Sequence, residues 1–222
     1  MGHNTLGANT TAANNSAFGF NAMLLNTTGH SNVAVGAYAL DANTTGVINT
    51  AVGFLSLSSN TTGSANVAVG NEALETNTTG YSNTAVGDES MEFNTTGANN
   101  TAVGNDSMYA NTTGASNTAV GASCMTLNTT GSANTAVGSA ALDACTTGEN
   151  NTAIGNNALG AATTQIQNTA VGRSALSLCT SNYNTGVGFE AGRELTSGDQ
   201  LAAFGFQACC LNTTGVNNTG LG

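Results

Sequence analysis

Glycine recurs at Gly2, Gly19, Gly36, Gly53, Gly70, Gly87, Gly104, Gly121, Gly138, Gly155, Gly172, Gly188, Gly205 and Gly222, every seventeen residues with a single step of sixteen. A chain written in copies that short has room for one coil per copy, and a coil can bury its apolar side only against the next coil. The copies approximate Asn-Thr-Ala-Val-Gly-x-x-Ala-Leu-x-x-Asn-Thr-Thr-Gly-x-x. Asn49-Thr50-Ala51-Val52 and its equivalents carry β-branched residues and stop at a glycine, which reads as a short strand and a turn. A second strand is expected through Ala39-Leu40 and its equivalents, where alternate positions such as Met23 and Leu25 are apolar. The predicted fold is all-β, a parallel β-solenoid of about 13 coils with a 17-residue repeat. It spans 1–222 as a single array, uncapped at both ends and irregular over about 161–200. At the strand spacing such a stack is about 60 Å long.

Two glycines per coil mark the corners, because only glycine takes positive φ cheaply. One closes the strand, at Gly36, Gly53, Gly70, Gly87, Gly104, Gly121, Gly138 and Gly155, and the other follows Thr-Thr, as at Gly29, Gly46 and Gly63. The interior is assigned to two apolar columns. The first runs through Val35, Val52, Val69, Val86, Val103, Val120, Val137, Ile154 and Val171; the second runs through Leu40, Leu57, Leu74, Met91, Met108, Met125, Leu142, Leu159 and Leu176. Met1 falls in the valine register. A third column, Ala34, Ala51, Ala68, Ala85 and onward, is nearly pure alanine and fits either a narrow coil interior or a close contact between chains. Asn-Thr-Thr-Gly, intact at Asn26 (with Thr27 and Thr28), Asn43, Asn60, Asn77, Asn94, Asn111, Asn128 and Asn212, is read as a surface ladder of stacked amides. Each is also an N-glycosylation sequon. The same ladder is the candidate surface for a glycan or for ice.

Composition narrows function. Twelve acids against two arginines, Arg173 and Arg193, give a formal charge of −10, which repels nucleic acid and anionic lipid. No apolar run is long enough to span a bilayer. Only 6% of residues are charged, as expected where each side chain faces its own copy about 4.8 Å away. The acids at Glu72, Glu89, Asp106 and Glu190, at Asp88, and at Asp41, Glu75, Glu92 and Asp143 place their loop positions in water. Cys145 and Cys179 share a repeat position two coils apart, about 9–10 Å, too far for a disulfide. Cys124 and Cys209 stand in apolar columns as small buried hydrophobes. His3 and His30 are solvent-facing corner residues, no Cys/His spacing suggests zinc, and acids are too sparse for an oxygen cage. No catalytic residue, cofactor site or metal site is expected. The irregular segment, where Gln165 replaces a corner glycine and one coil lacks a residue, is either a local bulge or decay of the repeat.

Asn83-Thr84-Ala85-Val86-Gly87 and Asn151-Thr152-Ala153-Ile154-Gly155, each followed by two variable residues and an apolar pair, resemble the head repeats of YadA-like trimeric autotransporter adhesins. The longer form with Asn-Thr-Thr-Gly is similar to repeats of phage tail-fibre and tail-spike proteins. The resemblance implies a left-handed β-roll, commonly three chains side by side, on a cell or virion surface. The function it implies is the shaft or adhesive part of an extracellular fibre, non-catalytic, with self-association as a homotrimer or by end-to-end stacking. A cell-surface glycan or matrix receptor is the implied partner, without nucleic acid and without direct membrane insertion. The alternative is a glycan- or ice-binding module using the Asn/Thr ladder.

Overall fold

The computed structural model describes residues 2–222, so the register of Met1 lies outside the described residues. The chain divides into two compact units, Met1–Thr113 and Gly114–Gly222. The first holds β1 (Ser16–Phe18), β2 (Val33–Val35), β3 (Thr50–Val52), β4 (Val67–Val69), β5 (Thr84–Val86) and β6 (Thr101–Val103). Each pairs in parallel with the next, equivalent residue on equivalent residue, from Ala17↔Ala34 through Ala51↔Ala68 to Val86↔Val103. The second holds β7 (Thr118–Val120), β8 (Thr135–Val137), β9 (Thr152–Ile154), β10 (Thr169–Val171), β11 (Thr185–Val187), β12 (Ala202–Phe204) and β13 (Thr219–Leu221). They pair in the same way, from Val120↔Val137 to Phe204↔Leu221. Each unit is a parallel β-solenoid with one three-residue strand per coil, and the described residues contain no helix.

Coil positions are counted from the Asn of Asn-Thr-Ala-Val as position 1. Successive strand residues point to opposite faces, so positions 2 and 4 share one face and position 3 takes the other. Position 3 is inside: Ala34, Ala51, Ala68, Ala85, Ala102, Ala119, Ala136, Ala153 and Ala170 have no exposed surface. The valine column assigned to the interior is therefore outside. Val35, Val69, Val120, Val137 and Ile154 are 36–40% exposed, and Val52, Val86, Val103 and Val171 are partly exposed. The reason is width. The alanines look across at the Leu/Met column of position 9, which is fully buried from Met23 to Leu176, and the gap accepts one methyl. Where glycine stands at position 3, in Gly186, an added Cβ would already come within 2.9 Å of Leu176 Cγ. Alanine at position 3 is thus a narrow coil interior, and valine there would not fit.

The expected second strand is a run of turns. After the strand, backbone bonds link Ala39 N to the Gly36 carbonyl, Ser58 N to Leu55 O and Asn60 N to Leu57 O, chaining three-residue reversals around the corner. Positions 7 and 9 take positive φ in nearly every coil, as in Leu55 (56°) and Leu57 (52°), and so does position 17, as in Ala65 (58°). A side chain in that region costs about 1–2 kcal/mol. The amides of these residues each find a neighbouring coil: Leu55 N to Ala37 O (3.1 Å), Leu57 N to Ala73 O (3.0 Å) and Ala65 N to Val47 O (2.9 Å). The glycine that closes the strand does adopt positive φ, 141° at Gly87, with the carbonyl of Gly104 where a Cβ would stand. The second glycine does not. Gly46 is required by crowding, since a Cβ there would run into Asn43 Oδ1 and the Gly63 carbonyl.

The irregular coils keep strand register. Thr169 pairs with Thr185 although only sixteen residues separate them; the missing residue is absorbed near Ser181. One coil later Gly192 empties the Leu/Met column, and Leu195 and Leu201, at positions 12 and 1, which most coils give to Asn, are buried in its place. A Cβ on Gly192 would lie 2.9 Å from Leu201 Cδ2, so the apolar volume has moved within the coil without being lost.

These placements predict unequal costs for two truncations of similar size. Leu74→Ala leaves a hole in the interior column and lowers stability by about 2–5 kcal/mol. Val86→Ala, on the outer face, costs about 1 kcal/mol or less. Urea unfolding of both variants checks this, and a larger loss for Val86→Ala would reverse the assignment of the two columns.

Candidate functional surface

Two columns of asparagine stand inside the coils, and they decide which side chains are free for function. At position 12, Asn26, Asn43, Asn60, Asn77, Asn94, Asn111 and Asn128 are fully buried. The amides form a ladder: Asn43 Nδ2 donates to Asn26 Oδ1 (2.7 Å), Asn60 to Asn43 (3.0 Å), Asn77 to Asn60 (2.8 Å), Asn94 to Asn77 (2.7 Å) and Asn111 to Asn94 (2.7 Å). Each also donates to the glycine carbonyl three residues on, as Asn43 to Gly46 O at 3.0 Å. The expected ladder exists, but it is interior, so these amides touch no ligand. Asn212 is the exception. Leu195 occupies its position one coil earlier, and Asn212 Nδ2 is buried without a partner.

The second column, at position 1, lies outside the ladder expected from Asn-Thr-Thr-Gly. Asn49 N donates to Asn32 Oδ1 (2.8 Å) and Asn49 Nδ2 to the Gly63 carbonyl (2.9 Å), and the pattern repeats at Asn66 and Asn83. Its signal was present. Position 1 shares a face with the small Ala of position 3, and an inward amide there can meet the orphan carbonyl of the corner. Of the paired threonines, the first is tied down, with Thr27 Oγ1 donating to the Thr44 carbonyl (3.0 Å) and Thr44 Oγ1 to Thr61 O (3.0 Å). The second, as in Thr28, Thr45 and Thr62, is exposed.

What remains outward is the strand face and the variable arcs. On the strand face Thr50, Thr84 and Thr101 alternate with Val52, Val86 and Val103 in the first unit. Thr118, Thr135 and Thr152 alternate with Val120, Val137 and Ile154 in the second. No charged residue occupies either column.

The acids gather at positions 6, 7 and 10. Asp88 is exposed, but Asp41, Glu75, Glu92 and Asp143 are half-buried rather than fully in water. Burial raises the carboxyls of Asp41, Glu75 and Asp143 above their usual range. Glu92 goes furthest: burial first, then the neighbouring charges of Glu89, Glu75, Glu72 and Asp106, push it up to about 7. One oxygen each from Glu72, Glu75 and Glu92 lies within 4.8 Å of the others, which makes this the candidate metal group among the described residues. With one oxygen from each residue, the group supplies three of the six to eight oxygens that calcium takes.

All the phenylalanines and tyrosines reach the surface; none is buried. In the first unit His3, Phe20, Tyr38 and Phe54 form a file with ring centroids 5.9, 5.3 and 6.3 Å apart. Phe93 and Tyr109 form a separate edge-on pair at 4.9 Å. In the second unit Phe189 and Phe206 stack at 5.3 Å, with Arg173 placed 5.6 Å from the Phe189 centroid. Beside them Arg193 bridges Glu190 (2.9 Å) and Glu194 (2.7 Å), and Gln207 Nε2 donates to Glu190 (2.8 Å). The Gln207 hydrogen bond, with help from Arg193 and Arg173, holds the Glu190 carboxyl below its ordinary value.

All five cysteines are free, including Cys145 and Cys179. Cys124, Cys145 and Cys179 are buried, whereas Cys209 and Cys210 are partly exposed. Burial pushes the Cys124 thiol up to about 12 and Cys145 to about 11, which leaves neither a nucleophile at neutral pH. His3 and His30 are exposed. The described residues enclose no pocket, and no helix among them is long and apolar enough to cross a membrane.

Compared with protein-family models, with curated proteins and with solved structures, the chain has no match.

Two predictions follow from burial. In a host with the oligosaccharyltransferase, Asn43, Asn60 and Asn77 stay unmodified in the folded chain, since each Nδ2 is enclosed and already donates two bonds; intact mass spectrometry showing glycan at Asn60 would contradict the interior ladder. The second concerns pH. Glu92 has a higher pKa folded, about 7, than its ordinary 4.5, so the folded state holds more protons between those values. The stabilisation is therefore complete below about pH 4.5 and is lost as pH rises through about 7. Denaturation midpoints should fall over that interval, and Glu92→Gln should flatten the decline; an unchanged slope in the variant would remove Glu92 as its source.

Proposed function

We propose that this chain is a structural, non-catalytic β-solenoid serving as the shaft or adhesive part of a fibre on a cell or virion surface, and that it self-associates side to side through its strand face. The observation that carries this reading is that face: Thr and Val columns without a charge, on a chain of net charge −10 whose carboxylates lie on the arcs beyond the first glycine. Copies that repel elsewhere can approach there. Exposed β-branched columns at one-coil spacing also give a partner a surface with the same repeat as its own, so every coil adds the same contact. Likeness to adhesin head repeats points to three copies as the assembly and to the outside of a cell or virion as the place. Buried thiols and the lack of an enclosed pocket support a role without catalysis. The ice or glycan reading that used the Asn/Thr ladder loses its amides, which are buried.

Sedimentation and electron microscopy of the purified chain test this. The wild type should sediment as a homo-oligomer and image as elongated particles. Val86→Glu with Val137→Glu should shift it to monomer while leaving each unit folded, because both side chains point outward. Compact monomeric particles for the wild type would reject the fibre, and an oligomer untouched by the two glutamates would reject the strand face as its interface.

A further inference from the structure

We propose that the file His3, Phe20, Tyr38 and Phe54 in the first unit is a binding strip for a neutral oligosaccharide, lying along the stacking direction and touching one sugar per coil. This extends the adhesive reading above by naming its contact surface.

Phenylalanine ordinarily goes inside. Here Phe20 is 43% and Phe54 47% exposed, because the interior accepts one large aliphatic side chain per coil and no ring. Rings kept in water on consecutive coils are apolar surface without a partner. Stacking along the fibre could account for such a file, but the orientations go beyond it. Phe189 and Phe206 lie nearly parallel, 9° apart, and cover one another's faces. In the file, Phe20 stacks on His3 at 17°, but Phe20 and Tyr38 cross at 75°, and Tyr38 and Phe54 at 85°. Crossed neighbours leave ring faces turned away from the column, available to something beside it. A pyranose offers such a face the C–H groups of one side of its ring, and the centroid steps of 5.3–6.3 Å match the length of about one sugar in an extended chain.

The polar surroundings suit hydroxyls and not charges. Between Gly2 and Glu72 the chain contains no lysine or arginine, and its two carboxylates are Asp41 and Glu72, the latter with its amide donating to the Phe54 carbonyl (2.9 Å). An anionic sugar would find no cation at the strip and would meet the repulsion of the whole chain, and nucleic acid is disfavoured on the same ground. Groups that exchange hydrogen bonds with hydroxyls flank the rings: Asn4 and Asn71 are exposed, and Asn21, next to Phe20, has a buried Oδ1 without a partner. No hydrogen bond ties down the Tyr38 hydroxyl among the described residues.

The test is isothermal titration of the full chain with hexaoses of β-glucan, α-glucan, mannan and chitin, with hexagalacturonate as the anionic probe. Phe20→Leu/Phe54→Leu keeps apolar bulk and removes the rings; Phe189→Leu/Phe206→Leu does the same in the second unit. The expected result is binding of at least one neutral hexaose, weakened at least tenfold in Phe20→Leu/Phe54→Leu and within twofold of wild type in the other variant, with thermal midpoints of all three alike. No binding of any neutral hexaose, equal loss in both variants, or tighter binding of hexagalacturonate would each overturn the strip. Should Phe20→Leu/Phe54→Leu misfold, Tyr38→Leu replaces it under the same criterion. Particles that remain elongated and oligomeric while no sugar binds would sink the strip and leave the fibre standing, whereas loss of the oligomer is read by sedimentation independently of sugar.

Discussion

In a stack of equivalent coils every side chain must tolerate its own copy one strand spacing away, and the rest of the structure depends on how each residue type meets that demand. An amide meets it by donating to the copy on one side and accepting from the copy on the other, as Asn60 does between Asn43 and Asn77. A hydroxyl does it by reaching the next carbonyl, as Thr44 reaches Thr61. Leucine and methionine do it by simple contact. A carboxylate cannot, and where glutamates do stack, at Glu72, Glu75, Glu89 and Glu92, burial first and then the charges of its neighbours hold a proton on Glu92 to about pH 7. The scarcity of charge in the chain and the raised carboxyl are two consequences of one geometry.

Narrowness is the second half of that constraint. Because the coil encloses little more than one leucine, two small side chains and two amides per turn, it must bend sharply, and the sharp bends force residues 55, 57 and 65 and their equivalents into left-handed backbone. Asparagine, which tolerates that region best, appears at several of these positions, as Asn21, Asn99, Asn150 and Asn157. Elsewhere leucine and alanine occupy it. Inter-coil hydrogen bonds made by each of these amides, together with full burial of the position 9 side chain, offset a cost that an isolated coil could not bear. A single copy is thus unstable, and the array is the folding unit.

This explains what the sequence disclosed and what it did not. Period and register were legible, because Gly36 to Gly155 recur at fixed spacing and leave only one way to align Val86 with Val103. Ranking valine as more apolar than alanine gives the strand the wrong facing. The companion residue was the better guide: position 2 is Thr50, Thr84 or Thr101, it must share a face with position 4, and a row of hydroxyls belongs outside. The amides of Asn-Thr-Thr-Gly were recognised as a ladder but placed in solvent, since burying a polar column is favourable only when every donor has an acceptor, and those acceptors are corner carbonyls such as Gly46 O that no sequence pattern displays. Gly46 does not take the positive φ expected of a corner glycine; its role is to leave space for Asn43.

The interior, once fixed by copying, cannot vary without compensation, as the exchange among Gly192, Leu195 and Leu201 illustrates. Variation that matters for recognition is then confined to positions whose side chains point out and need not match their copies: 6, 7, 10, 11, 16 and 17. The aromatic residues off the strand face, both arginines and every carboxylate of the chain fall at those positions. Rings cluster in the early coils of the first unit, acids in its later ones, and the two arginines beside a stacked pair in the second unit. Such segregation is not needed for stability, because neutral residues at the same positions, Asn105, Ala122 and Ser139, support the same coil. A scaffold whose inside is dictated by repetition has its outer arcs left over to differ from coil to coil, and it is on those arcs that one copy of the repeat becomes chemically distinct from the next.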